Sequence, residues 1–132
     1  MPARPSRCRR QRDSELLRFW KATINSRNGL AFAVRSEQAI REELVALLLA
    51  LPLAWLIGVT TMRSVELVAA VLLVLAIELL NTAIEKLADR LTTAHDPQIG
   101  RVKDLGSAAV GVALIAAGLF WLFAIAERIG AI

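Results

Sequence analysis

Residues 67–84 read LVAAVLLVLAIELLNTAI, a stretch that is apolar except for Glu78, Asn81 and Thr82. Its 18 residues come close to the ~20 that an α-helix needs to cross a bilayer. A carboxylate within hydrocarbon costs about 2.5–3.5 kcal/mol even on the more lenient insertion scale. Glu78 must therefore be paired, protonated or in contact with a metal ion or water, which makes it a candidate functional residue.

Two longer apolar stretches flank this one. Leu44–Met62 has 19 residues and Leu105–Ala126 has 22, and neither contains a charged residue. A chain with 56% hydrophobic residues and a positive mean hydropathy is also too apolar for an ordinary soluble domain of this size. The sequence therefore predicts an all-α membrane protein with spans at about 37–62, 65–91 and 104–127.

Charged residues are distributed unevenly around these spans. The net charge is +4, and five arginines within residues 1–13 precede the first acid. We interpret this segment as a flexible basic tail that favours an anionic lipid surface over nucleic acid. The loop between the second and third spans is also basic, whereas the link between the first two offers only Arg63. The positive-inside rule then predicts a cytoplasmic N-terminus and a periplasmic C-terminus.

Residues 14–35 combine apolar side chains with interspersed basic ones, as in an amphipathic helix that lies in the membrane interface. Gly29 predicts an interruption of this surface helix, and Ser36 is a candidate N-cap for the next helix.

Five polar residues in and after the middle span are spaced so that a helix places them on one face, and we call them the polar stripe. It consists of Glu78, Asn81, Thr82, Glu85 and Asp89, at offsets of 0, 3, 4, 7 and 11. Carboxylate and amide oxygens near a membrane surface suit Mg²⁺, which is commonly held by one or two carboxylates together with substrate phosphates. The stripe therefore favours phosphoryl transfer, although polar residues can also hold a helix bundle together by interhelical hydrogen bonds.

Common nucleotide and zinc motifs are absent from the sequence. Residues 100–107 read GRVKDLGS. This segment is not a Walker A loop, because five residues instead of four separate its glycines and no lysine follows the second glycine. His95 is the only histidine and Cys8 the only cysteine, which argues against zinc and excludes an intramolecular disulfide. ATP would therefore need an unconventional site.

Several separated motifs resemble the small prokaryotic diacylglycerol kinase family. ELLNTAIE at 78–85 and KDLGSAA at 103–109 are similar to its paired signature. S-x-x-G-L at 26–30 and E-x-x-x-R-x-E at 37–43 also fall at the family's positions. The resemblance extends from about Glu15 to the end of the third span.

The resemblance implies a homotrimer of three-span subunits in the bacterial inner membrane, with residues 14–132 forming one lipid-kinase domain. Such enzymes share active sites between neighbouring chains and transfer the γ-phosphate of Mg-ATP to the primary hydroxyl of diacylglycerol. The implied partners are ATP, a membrane lipid and further copies of the chain.

The same resemblance implies roles for individual residues. Glu78 would be the catalytic base, and Glu37 and Glu85 would hold Mg²⁺. The implied nucleotide-binding residues are Arg18, Asn25, Glu37, Glu85, His95, Lys103 and Asp104. The implied substrate-binding residues are Arg18, Ser26, Arg41, Glu78, Asn81 and Ser107. Asn25 departs from the family, whose best-known members carry an aromatic residue there, and the Ala94-His95-Asp96 loop departs as well.

Three other functions fit part of this pattern. A kinase acting on undecaprenol would use the same site chemistry, because only a hydroxyl must reach Glu78. A proton or cation conductor could use Glu78 as its intramembrane carboxylate. A structural membrane subunit would tolerate substitution of both Glu78 and Glu85.

Overall fold

The computed structural model describes residues 7–91 and 96–132, and these residues contain helices but no strands. The four helices are α1 (Arg7–Ser36), α2 (Gln38–Ile57), α3 (Thr61–Leu91) and α4 (Pro97–Arg128). The predicted all-α class is confirmed. His95, predicted to contact the nucleotide, lies outside the described residues.

The first compact unit is residues 1–36, in which α1 is a 30-residue helix. It begins at Arg7, so its first turns include part of the segment assigned to the basic tail. It also continues through Gly29, and the predicted interruption there is wrong. A glycine costs a helix only about 1 kcal/mol relative to alanine, which the surrounding helical residues offset.

The second unit, residues 37–132, begins with the N-cap of α2. This residue is Glu37, whose backbone is extended (φ −118°, ψ 126°) and whose side chain makes no capping hydrogen bond. Ser36, predicted to be the N-cap, is instead the last residue of α1. The side chain of Glu37 is thereby left for contacts with other parts of the unit.

A tight turn connects α2 to α3. The Gly58 amide donates to the Ala54 carbonyl at 2.9 Å. A Cβ at Gly58 would overlap the Ser64 side chain, so the turn requires glycine. The turn ends α2 at Ile57, which leaves it only the 14 apolar residues 44–57, or about 21 Å of helix.

Two helices are long and apolar enough to cross a membrane, namely α3 with 31 residues and α4 with 32. Only 22% of the most apolar stretch of α3 and 11% of that of α4 are buried within the chain. Most of the apolar surface of these two helices is therefore not covered by the chain itself. Such exposed apolar surface is typical of helices that face lipid or another subunit. The two helices indicate a membrane protein, while α2 as a third span remains a prediction.

The middle helix of the second unit is α3, which packs against both α2 and α4, whereas α2 and α4 contact each other only slightly. Near the α2–α3 turn, the buried residues Ala54, Leu67 and Ala124 form a small core. The polar stripe of α3 lies toward the opposite end of this helix.

An ion pair joins the start of α3 to the end of α4 beside this core. The Arg63 guanidinium donates to both carboxylate oxygens of Glu127, at 2.7 and 2.6 Å, and to Glu66 at 2.8 Å. Two parallel N–H···O bonds of this kind fix geometry as well as charge. This pairing, together with the Asp89–Lys103 contact at the other end of the two helices, defines α3 and α4 as an antiparallel pair.

We expect Arg63→Glu to lower the stability of the bundle, because it places a third acid against Glu66 and Glu127. The swap Arg63→Glu with Glu127→Arg should recover part of the loss. Unfolding in sodium dodecyl sulfate, followed by tryptophan fluorescence, gives the detergent concentration at which half of the protein is unfolded. Arg128→Glu makes the same charge change on α4 and is the control. Equal midpoints for the single variant, the swap and the unsubstituted protein would show that the pair contributes nothing.

Candidate active site

The polar stripe of α3 contains a carboxylate with one buried oxygen that accepts no hydrogen bond from the described residues. Glu78 is half-buried, and its Oε2 atom is fully buried without a hydrogen-bond partner among the described residues. Glu43 on α2 and Glu85 on α3 are both close enough to act on its charge. Buried polar atoms are normally satisfied, so such an exception indicates a group that meets a proton or a ligand during function.

One turn along α3, Asn81 is held between two helices. Its side chain is buried, with the residue 7% exposed, and its Nδ2 donates to Oε1 of Glu85 at 3.1 Å. A Cβ at Gly106 of α4 would overlap Oδ1 of Asn81, so the close approach of the helices depends on this glycine. Asn81 thus lies where it orients the Glu85 carboxylate.

Acidic and basic side chains meet where α3 ends. Nζ of Lys86 lies 2.6 Å from Oε1 of Glu37, and Nζ of Lys103 lies 2.5 Å from Oδ1 of Asp89. The charges of Glu85 and Asp89 also act on the Lys86 ammonium. The N-cap of α2, the end of α3 and the start of α4 therefore contribute to one charged cluster, which we call the end cluster: Glu37, Glu85, Lys86, Asp89 and Lys103.

The two carboxylates predicted to hold a metal, Glu37 and Glu85, both belong to the end cluster. Within residues 15–91 and 96–132, no three or more His, Cys, Asp or Glu side chains form a metal-binding group. Magnesium sites that rely on substrate phosphates use only one or two protein carboxylates. The donor set of the chain therefore fits a cation that arrives with a phosphate ligand.

The remaining predicted residues fall into two groups. Arg41, Asp104 and Ser107 are exposed on α2 and α4 of the second unit. Arg18, Asn25 and Ser26 are exposed on α1, in the first unit. Arg18 lines an open groove along α1 with Glu15, Phe19 and Ala22.

Three residues of the site were given no role in the sequence analysis. Glu43 and Gly106 lie inside the motifs at 37–43 and 103–109, and Lys86 directly follows Glu85. Each acts on a residue outside its own helix, namely Glu43 on Glu78, Lys86 on Glu37 and Gly106 on Asn81, and spacing along one helix does not reveal such pairs. Their position inside or beside matched motifs was the only available signal.

Comparison with known proteins gives the site a context. A family model described as prokaryotic diacylglycerol kinase matches residues 24–125, which include every predicted site residue except Arg18. The chain is 40% identical over 113 residues to a diacylglycerol kinase of Escherichia coli (strain K12), covering 86% of this chain and 93% of that protein.

Two further relatives carry the same name. The chain is 39% identical over 100 residues to a diacylglycerol kinase of Haemophilus influenzae, covering 76% of this chain and 85% of the relative. It is 37% identical over 106 residues to a diacylglycerol kinase of Pseudomonas aeruginosa, covering 80% and 86%.

Proposed function

The chain belongs to the prokaryotic diacylglycerol kinase family, and from this membership we propose how its residues carry out the reaction. It is an ATP-dependent kinase that phosphorylates diacylglycerol. In this reaction the acceptor hydroxyl oxygen bonds to the γ-phosphorus, the bond between that phosphorus and the β-phosphate oxygen breaks, and ADP leaves. The product is phosphatidic acid.

Glu78 is the general base in this proposal. The observation that carries the assignment is the buried Oε2 atom, which has no hydrogen-bond partner among the described residues. A carboxylate oxygen that no donor occupies can accept the hydroxyl proton as the substrate oxygen attacks the phosphorus. The position of Glu78 within an apolar stretch also suits an acceptor that arrives from the lipid phase.

Glu37 and Glu85 are the proposed ligands of Mg²⁺, which when bound neutralises the negative charge of the ATP phosphates. Asn81 supports Glu85 through the 3.1 Å hydrogen bond. Both acids lie in the end cluster, beside the lysine predicted to meet the nucleotide. The chemistry of the donors supports this assignment.

The other residues bind the two substrates in this proposal. Lys103 exchanges its contact with Asp89 for the nucleotide phosphates, because a phosphate group is a stronger partner for an ammonium than an exposed carboxylate. The further nucleotide-binding residues are Arg18, Asn25, His95 and Asp104. The further lipid-binding residues are Ser26, Arg41, Asn81 and Ser107.

The enzyme acts, in this proposal, as a homotrimer in the bacterial inner membrane, with α2 as a third span, a cytoplasmic N-terminus and a periplasmic C-terminus. The apolar surfaces that α3 and α4 leave exposed support the assembly. Gly111 and Gly118 of α4 have open space beside them, which permits a close approach of another helix.

Transfer of labelled γ-phosphate from Mg-ATP by purified, folded protein tests the function. We expect label in phosphatidic acid when diacylglycerol is supplied, and much less label in lipid when undecaprenol replaces it. Preference for undecaprenol would reassign the substrate, and no transfer to either alcohol would reject the kinase. Ion flux in vesicles that is lost in Glu78→Gln and does not depend on ATP would instead indicate a conductor.

We expect Gly106→Ala to reduce kcat about tenfold to a hundredfold, the range in which small misplacements of catalytic groups fall. The new methyl group displaces the Asn81 amide and weakens its hold on Glu85. Gly100→Ala is the matched control on the same helix, since an added Cβ meets nothing within 4 Å there. Equal kcat for Gly106→Ala and the Gly100→Ala control would remove this role for Gly106.

A further inference from the structure

We propose that Lys86 is a built-in counter-ion of the metal site, whose ammonium occupies the end cluster until Mg²⁺ and ATP displace it. This inference rests on the proposed function, because it takes Glu37 and Glu85 to be the metal ligands. It assigns Lys86 a part in deciding when the metal binds, which no motif of the sequence suggested.

The contact between Lys86 and Glu37 is the geometric basis. Nζ of Lys86, on α3, lies 2.6 Å from Oε1 of Glu37, which immediately precedes α2. Glu37 is an N-cap residue, yet its side chain makes no capping hydrogen bond with its own helix. Its carboxylate is thus engaged by Lys86 instead of by the backbone amides beside it.

The charges around Lys86 extend the argument. Glu37, Glu85 and Asp89 all act on its ammonium, and Asp89 is also paired with Lys103. A divalent cation bound by Glu37 and Glu85 would share the charge of the Glu37 carboxylate with the Lys86 ammonium, and the two positive charges would repel each other at this distance. Metal and ammonium therefore compete for Glu37.

The surroundings of Lys86 allow it to leave. Its side chain is 50% exposed, compared with 23% for Glu37, and a lysine ammonium sits on a flexible four-carbon stem. Nucleotide phosphates near Lys103 would offer the displaced ammonium new acceptors within the same cluster. The site should consequently bind free metal weakly and the metal–nucleotide complex better.

Binding of Mn²⁺ without nucleotide, measured by electron paramagnetic resonance of the free ion, tests the competition. Mn²⁺ serves as the probe because it uses the same oxygen ligands as Mg²⁺. We expect Lys86→Met to bind Mn²⁺ about threefold more tightly, the order of effect for an exposed ion pair, and Lys86→Arg to stay near the unsubstituted protein. Arg90→Met, one turn further along α3, removes the same charge and should change the affinity by less than half as much.

Unchanged or weaker Mn²⁺ binding in Lys86→Met would overturn the proposal, as would an equal gain in Arg90→Met. The titration is repeated with a non-hydrolysable ATP analogue, which should reduce the difference in Mn²⁺ affinity between Lys86→Met and the unsubstituted protein. An unchanged difference would overturn the claim that the nucleotide helps to displace Lys86. Phosphate transfer to diacylglycerol is measured on the same samples. If diacylglycerol is phosphorylated but Lys86→Met leaves the Mn²⁺ affinity unchanged, only the counter-ion role of Lys86 is refuted. If Lys86→Met raises the Mn²⁺ affinity but the unsubstituted protein phosphorylates no lipid, only the kinase function is refuted.

Discussion

Glu78→Gln should lower kcat for diacylglycerol phosphorylation by about 10²–10⁴-fold, the usual contribution of a general base. Glutamine keeps the size and most of the polarity of the side chain but cannot accept the hydroxyl proton at the position of Oε2. The KM for ATP should change little, because the assigned role concerns the acceptor hydroxyl. Initial rates at varied ATP and lipid concentrations give both constants.

A matched control for this substitution lies on the same helix. Glu66→Gln makes the same chemical change near the start of α3, where Glu127 still holds Arg63 through two hydrogen bonds. It should retain nearly full kcat. A Glu78→Gln enzyme that folds and turns over at the rate of the Glu66→Gln control would exclude Glu78 as the base.

Glu85→Gln should raise the Mg²⁺ concentration needed for half-maximal activity by at least about tenfold to a hundredfold, a range that is reached even when only a residue supporting a metal ligand is lost. The amide that replaces the carboxylate carries no charge and binds a hard cation more weakly. Asn81→Ala should act in the same direction and more mildly, because it removes only the hydrogen bond that orients Glu85. Activity as a function of free Mg²⁺ at saturating ATP and lipid provides the measurement.

The control for the metal series is Glu42→Gln on α2, an exposed acid that hydrogen-bonds Gln38 of its own helix. Its Mg²⁺ dependence should match that of the unsubstituted enzyme. If Glu85→Gln lowered kcat while its Mg²⁺ dependence stayed unchanged, Glu85 would have a role other than holding the metal.

The sequence allowed the helical class and two of the membrane helices to be predicted, because long uncharged stretches define them without tertiary information. It predicted less well where helices end. The apolar stretch from Leu44 to Met62 continues past Ile57, but the backbone turns at Gly58, where a side chain would overlap Ser64. A run of apolar residues does not reveal such a turn, because the steric conflict involves a residue on the next helix.

The candidate site shows the same division. Glu78 and Glu85 followed from helical spacing and from the cost of an acid in hydrocarbon, and Glu37 followed only from the family resemblance. Lys86 and Gly106 escaped notice because their importance lies in contacts with Glu37, at the N-cap of α2, and with Asn81 on α3. Contacts between helices depend on how the helices dock, which the spacing within each helix leaves open.

The central claim, that Glu78 serves the chemical step, is tested most directly by a single turnover. Enzyme in excess over labelled Mg-ATP, with saturating diacylglycerol, is mixed and quenched over time, and both bound nucleotide and phosphatidic acid are counted. The account predicts that Glu78→Gln binds the nucleotide as the unsubstituted enzyme does but forms phosphatidic acid at least about a hundredfold more slowly. Formation of phosphatidic acid at the unsubstituted rate in that first turnover would contradict it.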